Sequence, residues 1–238
     1  MKDSTLESVK RIGTGLAFVA FPAIFVFAFA VHPGLLHPRL LAPAEIIARA
    51  RGAGLLQFGH ALVTLNTALL VVAALHFMRV LERTASAPAG FVGAALAVLG
   101  ALALAADKGA LCLTMSALDQ IGDLEFYAMM PGLLAIFSKG GWLALLWGIV
   151  LLPLGFAVQA IALLRSRSIA PWQGLLFLVG VLLVATPDGV EAVNLAASTL
   201  MAIALIPYGV DIIRGNDRPV RAKDGPQAAS LELMRRTA

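Results

Sequence analysis

Cysteine is almost absent from this chain of 238 residues: Cys112 is the only one. That excludes an intramolecular disulfide framework and any site built from several cysteines. Charge is scarce as well, at 13% of residues, while 60% are hydrophobic and the mean hydropathy is +0.88. Water-soluble domains do not combine these values, so the composition predicts an integral membrane protein. Several chemistries are missing too. There is no G-x-S-x-G, no H-E-x-x-H and no G-x-x-x-x-G-K-[ST], and no serine has an evident histidine partner. A bis-histidine haem site fails on geometry, because His60 and His76 share one span and lie about 24 Å apart by helical rise. No long internal repeat is evident, which argues against an inverted-repeat transporter.

What is present is a series of long apolar runs. A helix needs about 20 apolar residues to cross about 30 Å of hydrocarbon. Six segments qualify or come close: 12–31, 54–78, 89–106, 141–164, 172–186 and 190–213. The fifth is short and lies between Pro171 and Pro187; Pro22, Pro153 and Pro207 fall inside spans, where neighbouring helices can re-satisfy the freed carbonyls. The predicted fold is therefore all-α, a bundle of six transmembrane helices over residues 1–214. Residues 215–238 form a polar cytoplasmic tail, expected to be disordered.

Six spans put both termini on one side. Thirteen of the eighteen Lys and Arg fall in the termini and in the connections after spans two and four. The other side holds five: Arg39, Arg49, Arg51, Lys108 and Lys139. The positive-inside rule then predicts cytoplasmic termini in the cell (inner) membrane. The basic excess meets anionic lipid rather than nucleic acid. A rival for the first span is a secretory signal, with Lys10-Arg11, an apolar stretch and "AFA" at 28–30; the run of about 20 residues with a proline inside is long for that purpose. On the outer side, "PAEIIARAR" reads as a short helix in the interface, and the segment 123–141, broken by Pro131 and Gly132, reads as an interfacial cap.

Most intramembrane polar residues fall in the outer half. Gln57, His60, Thr64 and Thr67 share a stripe about 80° wide, and Glu191, Asn194 and Ser198 one about 60° wide. Lys108, Cys112, Ser116 and Asp119 line one face of a helix that outruns the third span. The candidate ligand-binding residues are His60, Thr64, Lys108, Glu191 and Asn194, with Asp188 and His32 or His37 near the mouth of a pocket open outward. The structural alternative is that Asn, Ser and Thr join helices by hydrogen bonds while Asp107, Lys108, Asp188 and Glu191 mark helix ends at headgroup level. On this reading Asp107 and Lys108 need not be buried, and His76 beside Arg79 sits at the cytoplasmic interface. No catalytic residue, metal site or cofactor is nominated. Ala89, Gly93, Ala97, Ala101, Ala105 and Gly109 recur every four residues, giving span three a smooth face for another helix, in the bundle or in a contact with a second copy or another membrane chain.

The order of "GAGLLQFGHALVTLNTALLVVAALHFMRVLER", "GFVGAALAVLGALALA", "SIAPWQGLLFLVGVLL" and "LIPYGVDIIRG" resembles that of bacterial six-helix membrane proteins grouped as the domain-of-unknown-function 4386 family. The resemblance spans residues 12–213. The chain lacks the Arg/Glu-type pair expected early in span three. The resemblance implies the six-helix fold and carries over no catalytic residue. Three function classes follow: a non-catalytic accessory or regulatory membrane component, favoured because no span offers a connected catalytic set; a small-ligand transporter or binder using the outer stripes; and, last, an intramembrane enzyme.

Overall fold

The computed structural model describes residues 2–32, 35, 42–137, 150–184 and 191–216. Every regular element among them is a helix. In chain order they are α1 (Lys2–Ala30), α2 (Pro43–Ala50), α3 (Gly54–Leu81), α4 (Ala87–Leu118), α5 (Asp123–Ala128), α6 (Met130–Phe137), α7 (Leu151–Ser166), α8 (Pro171–Val184) and α9 (Glu191–Arg214). Four of these, α1, α3, α4 and α9, are long and apolar enough to cross a membrane. The helices α7 and α8 are apolar but shorter, with 16 and 14 residues. Residues 141–149 of the fourth expected span and 185–186 of the fifth lie outside the described residues, as does the tail from 217.

Six helices form a ring in which each packs on its neighbours: α1 on α3, α3 on α4, α4 on α7, α7 on α8, α8 on α9, and α9 back on α1. Adjacent members run antiparallel. Leu81 meets Gly90 at one end of the α3–α4 pair and Thr64 meets Gly109 farther along it. The chain therefore rises and falls around the ring, with the start of α1 and the end of α9 side by side. We call that the near end; the opposite, far end holds α2, α5 and α6. The near end carries Lys10, Arg11, Arg79, Arg83, Arg165, Arg167 and Arg214, whereas Arg49, Arg51 and Lys108 lie in the far half.

Glycines set how closely the ring closes. A Cβ on Gly15 of α1 would stand 2.6 Å from the Gly209 carbonyl oxygen of α9, and one on Gly155 of α7 would stand 2.6 Å from the Gly93 oxygen of α4. Only the missing side chains permit those backbone approaches. The four-residue repeat on α4 is thus spent largely inside the bundle: Gly93 and Ala97 face α7, Ala101 is fully buried, and Gly109 turns toward Thr64 of α3. The helices α1 and α9 run unbroken through Pro22 and Pro207. The end of α9 is closed by Gly215 at φ 70°, with Asn216 N–H donating to the Asp211 carbonyl at 3.0 Å, the left-handed stop that glycine adopts at no steric cost.

The near half is filled by rings. Phe18 of α1 lies with ring centroids 5.0 Å from Phe77 and 5.3 Å from His76 of α3, and 5.1 Å from Tyr208 of α9. Phe177 of α8 continues the cluster to Phe77 at 5.5 Å and to Phe156 of α7 at 5.7 Å. Five of the six ring helices supply a ring, and α4 supplies the small residues that leave them room.

Buried amides tie the helices across this core. Gln159 of α7 donates its Nε2 hydrogens to the carbonyls of Ala74 on α3 (2.9 Å) and Gly90 on α4 (3.3 Å). Asn66 of α3 donates to the Phe21 carbonyl of α1 at 3.1 Å. His76, expected at the cytoplasmic interface, is instead packed among these rings and hydrogen-bonded to the Tyr208 hydroxyl at 2.9 Å. An aromatic cavity with a hydroxyl at hand satisfies one ring nitrogen while burying the rest of the imidazole.

Candidate functional site

The far half is built from the same helices but lined differently. On α3 the buried positions Leu56, Val63, Thr67, Leu70 and Ala74 define the inward face, and His60 falls between that face and α4. On α4, Lys108 lies on the stripe of Ala97, Ala101 and Met115, all buried. On α9, Asn194 shares its face with Met201, Leu205 and Ile212, also buried. His60, Lys108 and Asn194 therefore occupy inward-leaning positions on three different helices.

Their depths agree. Gly59 packs on Ala28, Gly109 on Thr64, and His32 on Glu191. Each of the three inward groups is within a turn of one of these rungs, so they share one level about 10 Å thick. The mouth of that level is bridged by His32 Nε2 and Glu191 Oε1, 3.6 Å apart, which connects the end of α1 to the start of α9. Glu191 is 5% exposed and Asn194 4%.

Asp107 corrects the sequence reading. On the structural alternative it need not be buried, but it is 3% exposed, and its carboxylate stands 3.4 Å from the Lys108 ammonium. The reason is the face it occupies: Asp107 follows Gly100 by two turns on the side of α4 that the bundle covers, and α4 runs 32 residues, so the bundle still covers it past the end of the apolar run. The adjacent charges Asp107 and Lys108 are thus a neighbouring pair inside the far half.

The expected Lys108–Asp119 stripe does not line one pocket. Lys108 pairs with Asp107, whereas Cys112 and Ser116 turn outward into a groove between α3 and α4, also lined by Ala61, Thr64, Leu65, Gly109 and Leu113, with a volume of about 390 Å³. Thr64, a candidate ligand residue, belongs to this outward groove. Its hydroxyl donates to the His60 carbonyl at 2.9 Å, the Ser116 hydroxyl to the Leu113 carbonyl at 3.0 Å, and the Cys112 thiol to the Gln57 carbonyl at 3.6 Å. With those hydrogens turned to helix carbonyls, the groove wall is effectively apolar. Ser198 likewise donates within its own helix, to Leu195 at 3.0 Å.

Asp119 ends the stripe as a loop clamp, accepting the Gly52 N–H at 2.8 Å and the Gln57 side-chain amide. Asp188 and His37 lie outside the described residues. Among the described residues, no three His, Cys, Asp or Glu side chains gather closely enough to hold a metal ion. No protein-family model matches the chain, and no curated protein or solved structure matches it.

Proposed function

We propose that this chain is a multi-pass protein of the cell (inner) membrane, with α1, α3, α4, α7, α8 and α9 as six spans, both termini cytoplasmic, and a non-catalytic role in binding or passing a small polar ligand at its far half. The membrane reading follows from the four long apolar helices. The orientation follows from charge, because the near end holds the basic residues that favour the cytoplasm. The helices α2, α5 and α6 then lie at the extracytoplasmic interface.

One observation carries the ligand reading: Asp107, Glu191 and Asn194 are buried in the far half, with Lys108 beside Asp107 and His32 beside Glu191. Ionisable groups at membrane depth are costly and mark ligand or ion pathways more often than they mark packing. That favours binding over a purely accessory role, which needs only the surface. Asp107 and Lys108 hold opposite charges side by side, and Glu191 stands beside the His32 imidazole, so the far half suits a small zwitterionic or hydrogen-bonding solute better than a simple ion.

The purified protein, titrated with a panel of amino acids, small carboxylates, amines and sugars, is expected to gain thermal stability with at least one class. Glu191→Gln and Asn194→Leu should abolish that gain. Equal stabilisation of both variants, or none of the wild type, sinks the ligand reading. A reporter fused after Arg214 tests the orientation and should be active only in the cytoplasm.

The second reading, an accessory or regulatory component, is favoured by the exposed apolar face of α4, where Phe91, Leu99 and Leu102 point away from the bundle. That face, rather than the buried Gly/Ala repeat, is where a second copy or another membrane chain would pack.

A further inference from the structure

Over the far end sits a second, separate apolar cluster: Ile47 and Ala50 of α2, Leu56 of α3, Met115 and Leu118 of α4, Phe126 of α5 and Leu133 of α6. Leu56 lies one turn beyond His60 on α3, and Met115 two turns, about 10 Å, beyond Lys108 on α4. Anything reaching those two groups along α3 and α4 from the far side must pass this cluster.

The cap is anchored by few side chains. The three short helices bury Ile47, Ala50, Phe126 and Leu133 in the cluster, with Met130 and Leu134 partly buried against it, while Leu124 is 82% exposed and Tyr127 58%. One side chain ties it at three points. Arg51, in the connection between α2 and α3, places Nη1 2.5 Å from Asp123 Oδ1, donates Nη2 to the Ile121 carbonyl at 2.6 Å, and stacks its guanidinium 4.4 Å above the Phe126 ring. A planar guanidinium can make two directed bonds and one stacking contact at once, so this side chain ties the α4–α5 connection, the first residue of α5 and the main apolar anchor together. A second tie joins the same two connections, the Gly52 N–H donating to the Asp119 carboxylate at 2.8 Å.

We infer that α2, α5 and α6 are a lid over the far-half polar level and that Arg51 is its latch. Asp123 is 86% exposed, so the latch is half in water and weakens with salt. The inference rests on the proposal that the polar level is reached from the far side, but it requires no ligand.

The test uses the scarcity of cysteine. In a full-length Cys112→Ser background, His60→Cys places one thiol beneath the lid and Ala74→Cys one in the buried near half. Each is reacted in lipid nanodiscs with a membrane-impermeant cationic methanethiosulfonate. With the latch intact, the thiol at position 60 should react slowly; Arg51→Gln should speed it roughly tenfold and Asp123→Asn, which spares the other two contacts, roughly threefold. Raising salt from about 0.05 to about 0.5 M should speed the intact protein and leave Arg51→Gln unchanged. The thiol at position 74 should stay unreactive throughout. If it becomes reactive in Arg51→Gln, that variant has unfolded and Asp123→Asn decides. Equal rates with and without the latch overturn the lid: fast in all proteins leaves the ligand reading standing, and slow in all removes far-side access as well.

Discussion

The near and far halves of this bundle share six helices and the same seams, yet they differ in the polar groups they bury. In the near half, Phe18, Phe77, Phe156, Phe177 and Tyr208 pack centroid to centroid, and the polar groups Gln159, Asn66 and His76 each donate or accept across a helix pair. In the far half the rings continue through Phe25 and Phe29, but Asp107, Glu191 and Asn194 are buried there as well. Packing and interhelical hydrogen bonds drive association in a membrane, so the first half holds the fold together. Buried charge opposes association, so the second persists for another reason. Stability and function are thus divided along the bundle axis, and variants in the two halves should differ in kind.

The largest stability effect is expected at the centre of the near half. Phe77→Ala removes a fully buried ring that touches Phe18, Phe177, Tyr208 and His76, and should cost about 3–5 kcal/mol, read as the shift in unfolding midpoint in detergent. Gly155→Val comes next. Its Cβ would collide with the backbone of Gly93 and Ala97, forcing α4 and α7 apart at about 1–3 kcal/mol, and the same measurement should show it. A smaller change separates hydrogen bonding from packing: Gln159→Leu loses two donated bonds but also removes a buried Oε1 that no partner satisfies, so a net loss below about 1 kcal/mol is expected. A loss as large as that of Phe77→Ala would mean that the near half is held by its amides rather than by its rings.

How much of this was legible follows from which signals are local. Apolar runs gave the helices, because crossing hydrocarbon demands a length that composition reveals. Gly54–Leu81 and Glu191–Arg214 match the second and sixth expected spans within a few residues. The four-residue repeat on span three did mark a close helix contact. Asp107 was left unburied because the end of the apolar run was taken for headgroup level, whereas the bundle still covers α4 at that point. Its spacing of seven from Gly100 and four from Leu111 was an available sign of a covered face. Thr64 was grouped with His60 by angle alone, which cannot tell the bundle interior from the outer groove beside α4. The Arg51 latch and the His76–Tyr208 bond join residues far apart in the chain, and nothing local to either partner announces them.

The smallest stability effect should come from the residue on which the functional reading leans most. Glu191 is buried against His32, and removing one member of a buried polar pair usually destabilises because the other is stranded. Gln differs from Glu in that it keeps a carbonyl acceptor for the imidazole while discarding the charge that burial penalises. The two effects oppose each other, so Glu191→Gln should move stability by less than about 0.5 kcal/mol in either direction. Ligand-induced stabilisation should nevertheless vanish, since the solute loses its fixed negative partner. Should Glu191→Gln instead destabilise the free protein as much as Phe77→Ala does, the carboxylate would be a structural strut between α1 and α9. The far half would then be a second core with charged bricks, and the division of labour along the axis would fail at its most exposed point.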